Sequence, residues 1–223
     1  MRQYFEIADV KARVIAAAGG ESTVEAEVTL DDTTTGRASV PGGMLQAKPA
    51  IEAAANINIE ISEALIAMDA LSQPSIDRIL LDIDGTENGS RLGANAIMVV
   101  SLACAKAAAE SAGLSLYNYI GGVNAKTIPE LLRGVSAQKT AVLPGNPPPA
   151  PVLSMLDYPT LTSFLDAVAA ARRRGESVVL TAGEAVTEDP VLADIAVAVN
   201  AEAISAPSLA VCNQLLRIDE ELA

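Results

Sequence analysis

Histidine is absent from all 223 residues, so an imidazole base, a Ser-His-Asp triad and an imidazole metal ligand are all excluded. Acid-base work would fall to carboxylates, lysine, tyrosine or cysteine. Cys104 and Cys212 stand in apolar helical stretches and read as small buried side chains, with no disulfide framework or thiol chemistry. Carboxylates gather in two places. In LLDIDGTENGSRLGANAI (80–97), Asp82, Asp84, Thr86 and Asn88 alternate as calcium-loop ligands do. Glycine falls at loop position 4 (Gly85) instead of 6, however, and position 12 is Gly93 where a bidentate glutamate is required. That segment therefore reads as a polar turn ahead of a helix. The second group, Asp157, Glu184, Glu188 and Asp189, lies near expected strand ends and could hold a divalent metal. Helix capping explains loop acids followed by Pro190 better. The basic run Arg172-Arg173-Arg174 precedes Gly175 and suits a helix C-terminus more than a phosphate site.

The elements that must position these residues differ between the two ends of the chain. Residues 3–17 read as extended, and STVEAEVTL (22–30) alternates, with Val24, Ala26, Val28 and Leu30 on one face. A polar turn leads to RASVP (37–41), so a three-stranded antiparallel sheet with one solvated face is expected. Helices are expected over 48–69, with Ile51, Ala54, Ala55, Ile59, Ala64, Leu65 and Met68 at helical spacing. Others follow from Pro74 to about Leu81, over the Ala-rich 92–112, and over 114–122. Residues 130–151 are rich in proline, lack a period and read as a linker. Beyond it three short apolar strands (152–156, 177–181, 202–205) each precede a helix (160–174, 189–200, 208–222), with Asp189 as N-cap and Pro190 at the first helical position. Three βα units imply parallel strands with right-handed crossovers. A closed eight-fold barrel takes roughly 250 residues, so 152–223 supplies only a fragment.

A net charge of −13 argues against nucleic acid or an anionic membrane as partner. Half the residues are apolar but only 3% aromatic, so the core must be built from Ala, Val, Leu and Ile. The first residues, MRQYFEIADVKAR, carry charges throughout, and the longest apolar run, from Leu92, meets Lys106 too soon to span a bilayer. A cytoplasmic protein is expected.

Several blocks, in collinear order, resemble the enolase family. They are STVEAEV and GRASVP in the first hairpin, residues 81–109, SLYNYIGG, KTIP (126–129), and then TLTSFLDAVAAARRRG, VTEDPVLADIAVAV and NQLLRIDEEL. The resemblance covers about 1–130 and 152–223. It implies an α+β N-terminal domain over 1–129, the linker at 130–151 in place of a large deletion, and a truncated β/α barrel of three βα units over 152–223. Enolases (phosphopyruvate hydratases, which are lyases) dehydrate 2-phosphoglycerate with two magnesium ions, a lysine base and a glutamate acid. By resemblance, the base position is Ser154, and the last-strand lysine is Ser205. The phosphate-gripping His-Arg-Ser is Ala182, Gly183 and Glu184, and the serine that ligates the second magnesium is Gly42. The metal-binding acids and catalytic glutamates belong to the region missing between about 130 and 152.

Expected strand ends thus carry Ser154, Thr181 and Ser205, none charged at neutral pH, and Glu184 would repel a phosphate. Abstracting a proton α to a carboxylate needs cations to stabilise the dianion formed. No magnesium cofactor and no catalytic residue are therefore expected. By resemblance two ion pairs cross the family's dimer interface, and their positions here are Glu25 with Arg217 and Arg13 with Glu220. The expectation is a pseudoenzyme acting through a homodimer, a mixed oligomer with a full-length enolase, or other protein binding. The alternatives are a magnesium-dependent lyase with altered or residual activity, and a decayed product. Open strand edges would need covering by the N-terminal domain, the linker or a partner.

Overall fold

The computed structural model describes residues 5–41, 43–132, 140–141, 143, 150–181, 187–205 and 208–223. Strands β1 (Ile7–Ala16), β2 (Ser22–Leu30) and β3 (Thr35–Ser39) form the expected antiparallel sheet in the order β1-β2-β3. The alternation of β2 is realised in space. Val24, Ala26, Val28 and Leu30 are buried, while Glu25 and Glu27 face the other way beside Arg13 and Arg37. The buried face rests on α4 (Ala94–Ser111), where every residue from Ala94 to Ala109 is buried except Lys106. Small side chains let the layers approach closely. At Gly36 of β3 a Cβ would lie 2.2 Å from the Ala103 carbonyl oxygen and the Ala107 nitrogen, so this position admits only glycine without a shift of backbone.

The helix expected over 48–69 runs as α1 (Ala50–Asn56), a π-helical turn (Ile57–Ile61) and α2 (Ser62–Leu65). Its buried face is Ala53, Ala54, Ile57, Ile61 and Leu65, whereas Ile51 and Ile59 are 77% and 68% exposed. The sequence reading put those two on the wrong face. At about 100° per residue Ala53, Ala54, Ile57, Ile61 and Leu65 share one side of a helix, whereas Ile59 falls opposite them and Ile51 lies past their margin. Within the π-helical turn, Asn58 donates to the Ala12 carbonyl and accepts from the Ala12 amide (3.1 and 2.8 Å), covering part of the outer edge of β1. Helix α3 (Gln73–Asp84) carries Pro74 in its first turn and ends at Gly85, whose φ of 70° is left-handed; α5 (Leu116–Gly121) follows.

The second sheet holds the three expected βα units and two further strands. Strands β4 (Glu130–Leu132), β8 (Ala203–Ser205), β7 (Val179–Thr181) and β6 (Ala150–Ser154) are parallel neighbours in that order, and β5 (Thr140–Ala141) pairs antiparallel to β6. The segment read as a linker thus contributes β4 and β5. Three- and two-residue strands carry too little alternation to register in sequence. Helices α6 (Leu161–Arg173), α7 (Val191–Ala198) and α8 (Leu209–Leu222) fall where expected. Leu153, Leu180 and Ile204 face the helices and join the main core. On the opposite face, the one a closed barrel would turn inward, Val179 and Ala203 are buried under Ala141 and Leu143. Ala141 and Leu143, from the segment read as a linker, therefore cover part of the apolar face that a partial barrel leaves open. Among the described residues no single helix is long and apolar enough to cross a membrane.

Candidate functional site

Barrels place chemistry at the C-terminal ends of their strands. Here those ends are in lateral register, Ser154 beside Thr181, Thr181 beside Ser205, and Ser205 beside Leu132. Ser154, Thr181 and Ser205 each lie two residues beyond a member of the inward cluster (Val152, Val179, Ala203), and Leu132 packs against that cluster itself, so all four share the inward face. Thr181 and Ser205 are buried, and the Ser154 hydroxyl accepts from the Leu156 amide at 3.2 Å. The row can donate and accept neutral hydrogen bonds; it contains no base, acid or fixed charge. Magnesium takes carboxylates and phosphates in near-octahedral geometry, so three hydroxyls and a leucine do not fit it. Among the described residues no group of three or more Asp, Glu, Cys or His is arranged to hold a metal ion. Gly42, Ala182, Gly183 and Glu184 lie outside the described residues.

The acids considered from sequence are dispersed or engaged. Asp157 is exposed at the end of a 3₁₀ turn after β6. Asp84 of the supposed calcium loop accepts from the Leu92 amide (2.7 Å), the Thr86 amide (3.1 Å) and the Thr86 hydroxyl, so it builds the turn. Asp189 accepts from the Val191 amide at 2.9 Å, which is the expected capping role, although the helix starts at Val191 instead of Pro190. Sequence reading missed its other partners. Both oxygens accept from Lys106 Nζ (2.7 and 2.8 Å), and one accepts from the Ser39 amide at 2.8 Å. Asp189 is thus the ionic tie between the N-terminal sheet, α4 and the barrel fragment. The available signal was Lys106, the lone charge inside an Ala-rich run.

A second tie went unread for the same reason. Asp77 of α3, 2% exposed, accepts from Ser101 Oγ (2.6 Å), Gln73 Nε2 (3.0 Å) and the Thr162 amide (2.8 Å). Ser101 Oγ accepts from the Leu161 amide at 3.0 Å, so two residues of the N-terminal part satisfy the opening turn of α6. Burial raises the Asp77 carboxyl above the ordinary carboxylate range, against the pull of its donors. Asp194 of α7, also missed, is raised by burial to about 6, with Gln214 and Lys106 opposing the rise.

The four interface candidates separate into two groups. Within the chain Arg13 pairs with Glu25 (3.2 Å) and Glu27 (3.3 Å), and Arg37 pairs with Glu27 and, at 3.7 Å, with Glu25. The Arg37 hydrogen bond is the main cause holding the Glu27 carboxyl below its usual value. Arg217 is exposed on α8 and donates to Gln214 at 3.4 Å, while Glu220 is exposed one turn further on. Two open grooves adjoin here, of about 590 and 570 Å³. Glu25, Arg37 and Lys106 line the first, Ser208, Asn213 and Arg217 the second, and Ala18, Glu188 and Pro190 line both. Glu25 and Arg217 therefore lie on one face of the molecule.

Two family models match this chain. Enolase, N-terminal domain, matches residues 43–120, and Enolase, C-terminal TIM barrel domain, matches residues 150–223. They fall on the two structural parts on either side of β4 and β5, in the order that the ties at Asp77 and Asp189 join them. The chain belongs to the enolase family.

Proposed function

We propose that this protein is a non-catalytic member of the enolase family that acts by association with protein, first of all with a second copy of itself. The observation that carries the reading is the row Leu132, Ser205, Thr181 and Ser154 at the strand ends. Dehydration of 2-phosphoglycerate develops negative charge that must be met by cations and fixed donors in the transition state. Neutral hydroxyls at the position of the base and beside it supply neither proton abstraction nor that charge balance. Asp189, one of the acids considered for a metal, is neutralised by Lys106.

Support for self-association comes from the placement of Glu25 and Arg217. A two-fold interface is isologous, so both halves of a cross-interface pair must stand on the same face of one protomer. They line adjoining grooves of that face. A coupled assay with 2-phosphoglycerate and magnesium is expected to give no turnover above a no-protein control; measurable turnover would overturn the non-catalytic reading. Light scattering after size exclusion is expected to give twice 22.9 kDa. A clean monomer removes the homodimer and leaves a mixed dimer with a full-length enolase, which co-elution tests directly.

A further inference from the structure

The turn between α3 and α4 is pinned at both ends and bare at its tip. Asp84 accepts from the Leu92 amide, Thr86 Oγ1 accepts from the Ser90 amide at 2.9 Å, and Arg91 donates to the Asp84 carbonyl at 3.1 Å. Between these ties Glu87 and Asn88 are exposed. Among the described residues the Asn88 carboxamide has no hydrogen-bond partner, and the residue after it is Gly89. No other asparagine of the chain combines the two conditions. The carboxamides of Asn56, Asn58, Asn95, Asn118 and Asn200 are held by hydrogen bonds. Asn124 and Asn213 precede Ala125 and Gln214, whose Cβ atoms crowd the following amide nitrogen, and Asn146 precedes Pro147, which has no N–H. Gly89 itself is buried. A Cβ there would lie 2.9 Å from Ile97 Cδ1, 3.4 Å from Ala94 Cα and 3.5 Å from Pro159 Cβ. Its carbonyl accepts from the Gly93 amide at 2.9 Å. The bare tip therefore adjoins a point where α4 meets the segment leading into α6.

We propose that Asn88-Gly89 is a self-modification site, where the chain converts Asn88 to aspartate and isoaspartate, and that the isoaspartate form loosens the junction at Pro159. The Gly89 nitrogen loses its proton to a base in solvent and attacks Asn88 Cγ; with no Cβ on Gly89, its path is open. An N–Cγ bond forms, the carboxamide nitrogen leaves as ammonia, and a cyclic succinimide remains. Water then opens the ring. Cleavage of the N–Cγ bond gives aspartate. Cleavage of the bond to the backbone carbonyl carbon gives isoaspartate, whose main chain runs through Cβ and Cγ and is one carbon longer. No oxidant or reductant enters. Either product places a new negative charge at a solvated tip. Only isoaspartate pushes on Gly89, which has no room to move against α4 and Pro159.

The test ages the full chain in mildly alkaline buffer, both folded and unfolded in urea, and maps its peptides by mass spectrometry. Exchange of NH for O is expected at residue 88 of the folded chain, within about tenfold of the unfolded rate, because opening an exposed turn costs little. Asn88→Gln should abolish it. No product at residue 88 in the folded chain, or equal conversion at Asn124 and Asn213, would overturn the site. The junction is read by hydrogen exchange at the Leu161 and Thr162 amides, which open α6 and bond to Ser101 and Asp77. In the aged chain, isolated by its added charge, they are expected to exchange about fivefold faster than in Asn88→Asp, which carries the charge without the extra carbon. Equal exchange in the two would overturn the loosening.

Discussion

At the residue scale the decisive groups are buried carboxylates with partners far away in sequence. Asp77 is the sharpest case. Asp77→Ala leaves the Ser101 hydroxyl and the Thr162 amide without an acceptor, and a loss of about 2–4 kcal/mol in urea denaturation is expected. Asp77→Asn should recover part of it, because the amide oxygen still accepts. Asp194 fixes a sign for the whole protein. Its folded value, about 6, exceeds the ordinary 3.8, so between those values the folded state binds the proton that the unfolded chain has released. Its contribution to stability therefore grows as pH falls through 6 and levels off near 3.8. Melting curves at pH 7.5 and 5.5 are expected to show a higher midpoint at pH 5.5, with the difference reduced in Asp194→Asn. The capping role of Asp189 could be read from its neighbours Pro190 and Val191. Its bond to Lys106, 83 residues earlier, could not, because no local pattern encodes it.

At the scale of elements, close packing and cover matter most. Gly36→Ala places a methyl group inside contact distance of the α4 backbone. Since backbone cannot rotate away as a side chain can, a destabilisation of about 1–3 kcal/mol or more is expected in thermal or urea unfolding. Leu143 is buried over the inward face of the parallel sheet. Leu143→Ala should cost about 2 kcal/mol or more and raise binding of a hydrophobic dye, as Val179 and Ala203 become accessible. Long periodic elements were legible in advance: β2, α4, α6 and α8 all lie within a few residues of their sequence bounds. Strands β4 and β5 were not, being too short for a period, and Ile51 and Ile59, grouped by residue type with the buried face, stand outside it.

At the scale of the molecule, two parts matched by two family models are locked together by polar ties at the openings of α6 and α7. Self-association would add a third level. Arg217 is exposed and its bond to Gln214, at 3.4 Å, is weak, so Arg217→Glu should leave the melting temperature of a monomer nearly unchanged. If the proposed dimer forms through this face, the same change should shift light-scattering mass toward 22.9 kDa at micromolar concentration. Glu25→Ala is a less clean probe, because Glu25 also pairs with Arg13 and Arg37 inside the chain.

The amino-acid sequence by itself determined the family, the antiparallel sheet, the order of βα units and the uncharged residues at Ser154, Thr181 and Ser205. Each is written locally, in a motif, a period or a residue type. Only the tertiary structure decided what replaced the rest of the barrel. It added β4 and β5 to the sheet, laid Leu143 over the exposed apolar face, and turned Asp77 and Asp189 from loop and helix acids into ties between the two parts. Those outcomes depend on which distant groups meet in space, and burial then sets the strength and the pH response of each meeting. Local sequence carries neither quantity.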